Sequence, residues 1–243
     1  MKKIIAGVKR MWSGERFPSL AKNVVELKNT NELKKVFKWT CDPVLNDPII
    51  YEFSYLEDVN ERRVRDAESI GTVICNTTPQ VALEIGTADG RTTALMAENS
   101  SGSQIFTVNI PPEEIASGKG GVLTTFALEK EKIGSYYRSR EIHNISQIYA
   151  NTATWEPDIG VINVAFIDGC HDSDFVYNDT RKIIKNMELG SFILWHDFNL
   201  NLTKRHDWID SVCQGVEWLY MDKVLNGPIF HVRDSWVGIY HVQ

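Results

Sequence analysis

Apolar and polar positions divide the chain into an N-terminal part of helical or irregular texture and a body, beginning near residue 80, in which strands alternate with helices. Before the body, apolar residues recur at helical spacing over 1–12 and again from Val64 to Ile74. A loop with Pro43 and Pro48 separates the two patterns. The first pattern predicts a basic amphipathic helix, and the second predicts a helix that leads into the body.

Short apolar runs in the body predict strands, which cover residues 81–85, 103–110, 146–150, 162–169, 191–197, 229–232 and 235–242. Helical patterns follow the first, fourth and fifth of these strands, and Gly190 is expected to end the helix after the fourth. The Arg233-Asp234 pair between the last two runs indicates an antiparallel hairpin. Strands that alternate with helices predict an α/β fold with a mostly parallel, doubly wound sheet.

Charge is distributed unevenly along the 243 residues, which carry a net charge of -6. Ten Lys or Arg and three Glu lie within residues 1–40, so this arm carries +7 and the remainder carries -13. An acidic body argues against nucleic-acid binding, which needs a basic surface. The helix predicted over 1–12 could pack on the body or on a second copy in a homo-oligomer, or lie on an anionic membrane surface.

The cysteines and the lengths of the apolar runs indicate in which cellular compartment the protein is expected. The four cysteines lie far apart without a C-x-x-C pair, which indicates reduced thiols rather than a zinc site or a disulfide framework. The apolar run near the N-terminus is too short for a signal peptide, and none reaches the roughly 20 residues of a membrane span. The sequence therefore predicts a soluble, cytoplasmic protein.

Polar residues cluster where the predicted strands end. They are Glu84 to Asp89, Asn109, Asn151 and Thr152, Asp168 to His171, and His196 to Asn199. In open parallel sheets, ligands bind beyond the carboxyl ends of the strands. We therefore expect these strand ends to form one cleft.

Three groups within this cleft carry candidate chemistry. The stretch from Glu84 to Gly90 places an acid at the end of a strand, followed by a glycine turn that opens a helix. The N-terminus of that helix favours an anionic ligand. Alternatively, the turn only packs the strand against the helix. Asp168 and Asp197 each follow a buried strand and should lie side by side, where they could hold Mg²⁺ or Ca²⁺. His171 or His196 could take a proton from a substrate hydroxyl, or serve a hydrogen-bonded structural role.

The chain from about residue 58 to its end resembles the class I S-adenosylmethionine-dependent methyltransferases. More narrowly, it is similar to a bacterial small-molecule O-methyltransferase group whose fourth strand reads FIDG-x-H and whose fifth ends in HD. The matching stretches are Phe166 to His171, Asn178-Asp179, Gly190, and Leu194 to Asp197. The resemblance implies a Rossmann-like sheet of seven strands. It also implies a basic N-terminal extension, largely helical, over 1–57 and an S-adenosylmethionine-binding domain over 58–243.

The resemblance also assigns roles to individual positions. The methionine part of S-adenosylmethionine would be surrounded by Glu84, Gly86, Thr87, Ala88, Asp89 and Gly90. Asn109 stands where the family usually has an acid for the ribose hydroxyls, Asn151 and Thr152 match the region around adenine, and Asp168 faces cofactor and substrate. In metal-dependent relatives the ion is held at positions that correspond to Asp168 and Asp197. Here Phe198 replaces an Asn of that pattern, so Mg²⁺ is an optional cofactor.

The activity implied is methyl transfer to a hydroxyl of a small molecule, such as a sugar or a glycosylated metabolite, with His171, His196 and Asp197 as catalytic candidates. The alternatives are a non-catalytic binding or assembly module and a nicotinamide-dependent oxidoreductase, although the G-x-G-x-x-G pattern is absent. The stretch 111–145 is predicted to be a lid or substrate wall, or else a plain surface helix. Because the basic arm precedes the methyltransferase-like region, we expect that removing residues 1–40 leaves cofactor binding intact.

Overall fold

The structure, a computed structural model, describes residues 16–47, 57–123 and 128–243. Its strands are β1 (Val24–Leu27), β2 (Val81–Ile85), β3 (Gln104–Asn109), β4 (Ile145–Tyr149), β5 (Ile162–Ile167), β6 (Met187–Trp195), β7 (Ile229–Val232) and β8 (Gly238–His241). They form an eight-stranded sheet in the order β1-β7-β8-β6-β5-β2-β3-β4. Only β8 is antiparallel to its neighbours, β6 and β7.

The helices are α1 (Pro18–Asn23), α2 (Thr30–Phe37), α3 (Glu57–Thr77), α4 (Arg91–Asn99), α5 (Pro112–Ala116), α6 (Ser135–Ser139), α7 (Ser173–Ile184) and α8 (Asp207–Met221), with a 3-10 turn over Leu200–Leu202. Among the described residues, no helix combines the length and apolar character that a membrane crossing requires. The helix predicted over 1–12 lies outside the described residues.

Apolar side chains cover both faces of the sheet, as a doubly wound fold requires. One buried cluster joins α1, α7 and α8 to the sheet through residues such as Leu20, Val176 and Val212. The other joins α2, α3 and α4 through residues such as Leu33 and Ile74. The predicted α/β fold with a mostly parallel sheet and a C-terminal antiparallel hairpin is confirmed.

The sheet has eight strands rather than the expected seven, because the N-terminal segment contributes β1. This strand pairs in parallel with β7, with Val24 opposite Ile229. Its four residues follow α1 directly and are too few to show a period-two pattern, so the sequence reads there as helical or irregular. The extension is thus not purely helical, while the domain boundary at residue 57 stays a prediction.

The N-terminal segment is anchored in the body by buried contacts. Leu20 and Leu33 are fully buried, on opposite faces of the sheet. The backbone N–H groups of Ser19 and Leu20 donate to the Glu217 carboxylate at 2.9 Å each, and Glu217 is 1% exposed. A buried carboxylate needs such partners because its desolvation is costly. The described part of the basic arm is therefore packed against the body through a few buried side chains.

Gly190 does not end the helix after the fourth predicted strand, so that expectation is wrong. Helix α7 ends at Ile184, and β6 begins at Met187, three residues before the glycine. Gly190 lies inside β6 with a left-handed φ of 92°. The pairing of β6 with β5 is irregular near its start, between Ile162 and Val164. A glycine inside a strand is typical of such an irregularity.

The order of the strands reverses between β2 and β5. From β2 the sheet continues to β3 and β4, and from β5 it continues to β6 in the opposite direction. Helices that connect the strands on the two sides leave on opposite faces, so a crevice forms beyond the carboxyl ends of β2 and β5. The residues that follow these two strands are Gly86 and Asp168. The fold therefore places the predicted cleft at this reversal.

Candidate functional site

The turn after β2 packs directly on the end of β5. Gly86 has a φ of 98°, and a Cβ at this position would lie 2.0 Å from the backbone oxygen of Asp168. No side chain fits in that space, so glycine is required for the turn and the strand end to touch. The Asp168 N–H in turn donates to the Ile85 oxygen at 2.8 Å. Gly86 thereby fixes Asp168 at the reversal of the sheet.

Glu84 lies beneath this turn and lines neither of the cavities described below. It is 1% exposed and accepts hydrogen bonds from the hydroxyls of Thr93 and Thr107. Thr87 and Thr107 share a hydrogen bond of 2.7 Å, and the Gln147 amide donates to Thr87 at 2.9 Å. Burial raises the pKa of Glu84 to about 8, although the two threonine hydroxyls act against this shift. Glu84 therefore supports the turn from within the core.

We predict that Glu84 makes the folded protein less stable as the pH rises. Between its usual pKa of 4.5 and the folded value of about 8, the unfolded carboxyl loses a proton that the folded one keeps. The Glu84 contribution to the free energy of unfolding should fall by roughly 2–3 kcal/mol between pH 5.5 and 8 and level off above that, while the raised pKa of His171 and His196 keeps the total falling at higher pH. Urea unfolding of Glu84→Gln should show a flatter profile, whereas the exposed Glu113→Gln should retain the wild-type slope. An unchanged slope in Glu84→Gln would contradict the assignment.

Asp168, His171, His196 and Asp197 form one charged cluster at the ends of β5 and β6. The Nδ1 atom of His196 lies 3.0 Å from an oxygen of Asp168 and 3.2 Å from an oxygen of Asp197. The Nε2 atom of His171 lies 2.9 Å from the same Asp197 oxygen. Asp197 has a left-handed φ of 52°, and its Oδ2 atom contacts both rings. The prediction that the two aspartates lie side by side is confirmed.

Both histidines face hydrogen-bond acceptors at both ring nitrogens. Nδ1 of His171 lies 3.0 Å from the Leu123 oxygen, and Nε2 of His196 lies 3.2 Å from a carboxylate oxygen of Asp66. A neutral imidazole carries only one N–H, so this arrangement favours the imidazolium form of each ring. Either ring can therefore take a proton from a substrate only after releasing one of its own.

The pKa shifts agree with these contacts. Burial alone would lower the pKa of both histidines. The neighbouring Asp168 and Asp197 outweigh burial, so that the pKa of His171 rises to about 10 and that of His196 rises well above its usual value. Burial would raise the pKa of the two aspartates, but the histidine charges and hydrogen bonds hold it below the usual range. The cluster is thus a set of mutually compensating charges.

Three groups of the cluster could share one metal ion. Ligand atoms of Asp168, His171 and Asp197 lie within 4.8 Å of one another. Two carboxylates and an imidazole suit a divalent cation, and the nitrogen ligand favours a transition metal over Mg²⁺. His171 would be the third metal ligand, whereas the sequence analysis assigned this residue to proton transfer. The donor set fits an ion, which would compete with the imidazolium rings for the same carboxylates.

Two cavities of about 430 and 280 Å³ meet at this cluster. They share the wall formed by Arg62, Gly86, Ala88, Asp168 and His196. Thr87 and Asp89 line only the larger cavity, and Asn109, Asn151, Thr152, His171 and Asp197 line only the smaller one. Gly90 lines neither, because the space beside its Cα is filled by Tyr137 of α6. The structure thus brings most of the predicted site residues to two adjoining cavities.

The predicted ribose and adenine positions are held by hydrogen bonds. The Asn109 side-chain oxygen accepts from the Ala88 N–H at 3.1 Å and so ties β3 to the turn after β2. Asn151 donates to Glu114 at 2.9 Å and to the Lys119 oxygen at 3.2 Å. Thr152 donates to the buried Asp179 at 3.1 Å. These contacts give the smaller cavity a polar rim at the ends of β3 and β4.

The stretch after β3 forms part of the wall of the smaller cavity. Gly120 and Leu128 line that cavity, and Asp172 accepts from the N–H groups of Val122 and Leu123 at 2.7 and 3.2 Å. Together with the contact between His171 and Leu123, these bonds fix the described part of this stretch next to the charged cluster. A role for the stretch 111–145 in closing over or contacting a substrate stays a prediction, and residues 124–127 lie outside the described residues.

Among the site residues that the sequence analysis missed, three contact one another. Asp66 and Arg62 come from α3, and Trp236 precedes β8. The Asp66 carboxylate contacts His196, and the Arg62 guanidinium lies 4.3 Å from the Trp236 ring. One signal was available, because Asp66 occupies the same apolar helical stripe as Ile70 and Val73. An acid on a buried face requires a partner, and only the tertiary structure identifies it.

The chain resembles known proteins in part of its sequence and in its fold. A family model described as "Methyltransferase domain" matches residues 83–198. No curated protein sequence matches the chain. The fold resembles that of the methyltransferase PaMTH1 of Podospora anserina, solved with S-adenosylhomocysteine. That likeness has a TM-score of 0.56 and 12% identity, and it covers 88% of this chain and 95% of the other.

Two further solved structures share the fold. The O-methyltransferase NovP has a TM-score of 0.54 and 13% identity over 73% of this chain and 79% of the other. The O-methyltransferase TomG of Streptomyces achromogenes, solved with S-adenosylmethionine, has a TM-score of 0.50 and 11% identity over 96% of this chain and all of the other. At these identities the likeness establishes a common fold.

Proposed function

We propose that the protein transfers a methyl group from S-adenosylmethionine to a hydroxyl oxygen of a small molecule, starting from the match of residues 83–198 to a family model described as "Methyltransferase domain". The fold is shared with the O-methyltransferases NovP and TomG, the second of which was solved with S-adenosylmethionine, and with the methyltransferase PaMTH1, solved with S-adenosylhomocysteine. The motifs FIDGCH and WHD supply the clustered acids and histidines. The proposal places the protein in the small-molecule O-methyltransferase group that its sequence resembles.

One observation carries the proposal, namely that two cavities meet at a single charged wall. A transfer reaction needs a donor and an acceptor whose reacting atoms lie about 3–3.5 Å apart and in line. Asp168 and His196 line both cavities, so they can contact a donor that extends from one cavity into the other and an acceptor that reaches the shared wall. The cavity volumes, about 430 and 280 Å³, suit small molecules. A sugar or glycosylated acceptor stays a prediction.

When bound, S-adenosylmethionine supplies an electrophilic methyl group on a positively charged sulfur. The polar rim formed by Asn109, Asn151 and Thr152 would bind the adenosine part, because these side chains line the smaller cavity. The turn from Gly86 to Asp89 would bind the methionine part beside the larger cavity. Asp168 would place a carboxylate near the site of positive charge.

The acceptor hydroxyl must lose a proton during transfer. Asp168 is the most exposed acid of the cluster, with 27% of its side chain accessible, so it can accept a hydrogen bond from that hydroxyl. His171 and His196 would hold the two aspartates in place and stabilise their charge. If one ring releases its proton when another cation binds nearby, it can act as the base. His171, His196 and Asp197 remain the candidates for this role.

A bound metal ion is a further option within the same proposal. Asp168, His171 and Asp197 would hold it, and it would lower the pKa of the acceptor hydroxyl. The non-catalytic module and the nicotinamide-dependent oxidoreductase receive less support. A binding module has no need for a charged cluster at the junction of two cavities. The turn after β2 also lacks the glycine spacing of dinucleotide-binding proteins.

Calorimetry with S-adenosylhomocysteine tests the proposal directly. We expect binding to the full chain, with no heat from NAD as the matched control ligand. Turnover of a panel of hydroxyl acceptors should then be measured with and without a chelator, and loss of activity that Mg²⁺ or Mn²⁺ restores would support the metal option. Absence of binding at millimolar S-adenosylhomocysteine contradicts the proposed function. Binding without turnover across the panel would favour the non-catalytic module.

A further inference from the structure

His196 is held from two sides, and one side comes from outside the matched domain. Its Nδ1 atom faces Asp168 and Asp197 at the ends of β5 and β6. Its Nε2 atom lies 3.2 Å from a carboxylate oxygen of Asp66. Asp66 belongs to α3, whereas the family match begins at residue 83. The ring therefore bridges the strand ends to a helix that precedes them.

Asp66 is itself fixed by two other contacts. It is 5% exposed, and its second carboxylate oxygen accepts the Trp236 N–H at 2.6 Å. The oxygen that faces His196 also accepts from Arg62 at 3.0 Å, and the Arg62 guanidinium lies over the Trp236 ring. A buried carboxylate held at both oxygens has little freedom to move. Asp66 thus presents a fixed acceptor to the histidine ring.

We infer that Asp66 is a positioning residue, which orients the His196 ring so that Nδ1 meets both Asp168 and Asp197 at the wall shared by the two cavities. The inference rests on the proposed function for its effect on turnover. Its geometric part does not depend on that function. Without an acceptor at Nε2, the ring can rotate about its side-chain bonds and leave the two aspartates without a shared donor. Residues that orient a ligand or a base in this way commonly change rates by tenfold or more.

Asp66→Asn separates orientation from packing. The amide oxygen of the substituted side chain can still accept the Trp236 N–H, so the link between α3 and the C-terminal hairpin is kept. The amide nitrogen then faces His196 and Arg62, and it cannot accept from either. Arg62→Gln is the matched variant, because it removes the ion pair with Asp66 and the guanidinium nitrogen that lies 3.4 Å from Nε2 of His196, but leaves the Asp66 carboxylate in contact with that Nε2 atom. Glu217→Gln controls for the loss of a buried acid far from the cavities.

The first measurement is NMR of protein labelled with ¹⁵N at the histidine rings. Wild-type protein should show a slowly exchanging Nε2–H signal for His196. This signal should be lost in Asp66→Asn and kept in Arg62→Gln and Glu217→Gln, while the signal of the buried His231 is unchanged in all three. Loss of the signal in both Asp66→Asn and Arg62→Gln, or in neither, overturns the inference.

The second measurement is kinetic. In Asp66→Asn, kcat should fall about tenfold while the dissociation constant of S-adenosylhomocysteine stays within twofold of the wild-type value, which a general loss of structure would not produce. Glu217→Gln should leave kcat unchanged. A kcat for Asp66→Asn within twofold of wild type overturns the inference. If wild-type protein binds no S-adenosylhomocysteine, the proposed function fails, and the ring signal still decides whether Asp66 holds the Nε2–H of His196.

Discussion

Asp168→Asn should lower kcat by at least about 100-fold, the scale on which loss of a proton-transfer or charge-stabilising group acts. Asp168 lines both cavities and lies 3.0 Å from Nδ1 of His196. The substitution removes the negative charge from the shared wall. It also removes a carboxylate that holds His196, so charge and orientation are lost together. Steady-state kinetics with S-adenosylmethionine and an identified acceptor provide the measurement.

The control for this substitution is Asp174→Asn, which removes an exposed acid from the first turn of α7. It should leave kcat within twofold of wild type. Circular dichroism and calorimetry should show that Asp168→Asn is folded and still binds S-adenosylhomocysteine. A variant at Asp168 that retains more than half of the wild-type kcat would remove this residue from the reaction.

Removing residues 1–40 should prevent stable folding, which reverses the expectation from the sequence that cofactor binding survives this deletion. The deletion takes away β1 and thereby exposes β7 as an edge strand. It also removes Leu20 and Leu33, both fully buried, and leaves the Glu217 carboxylate without the two N–H groups that it accepts from. Loss of a single buried leucine side chain costs about 2–5 kcal/mol. The combined loss exceeds about 5 kcal/mol, the lower end of the stability of natural domains.

Thermal unfolding and soluble yield measure how far the deletion of residues 1–40 destabilises the fold. Point variants measure the contribution of single side chains. Leu33→Ala should lower the free energy of unfolding by about 2–5 kcal/mol. Val36→Ala on the same helix is the matched control, since Val36 is 46% exposed and should change stability by less than about 0.5 kcal/mol. A truncated chain with the wild-type melting temperature would show that the N-terminal segment does not belong to the cooperative unit.

Much of the site could be predicted because strand ends in a parallel sheet converge. The apolar run before Asp168 and the one before Asp197 define buried neighbouring strands, so the acids after them must meet. Their contact with His196 and His171 follows from the same adjacency. Other features depend on contacts distant in sequence. Asp66 lies 130 positions from His196, and no local pattern reveals that they touch.

The sequence determined the α/β class, the seven strands of the body and the edge of the sheet where the polar residues gather. Hydrophobic periodicity and turn residues are local, so they can be read without the fold. Tertiary structure alone decided that the basic arm supplies an eighth strand, that Glu84 is buried beneath the turn, and that two cavities share the wall containing Asp168 and His196. These features depend on which surfaces meet, and burial sets both their charge states and their partners.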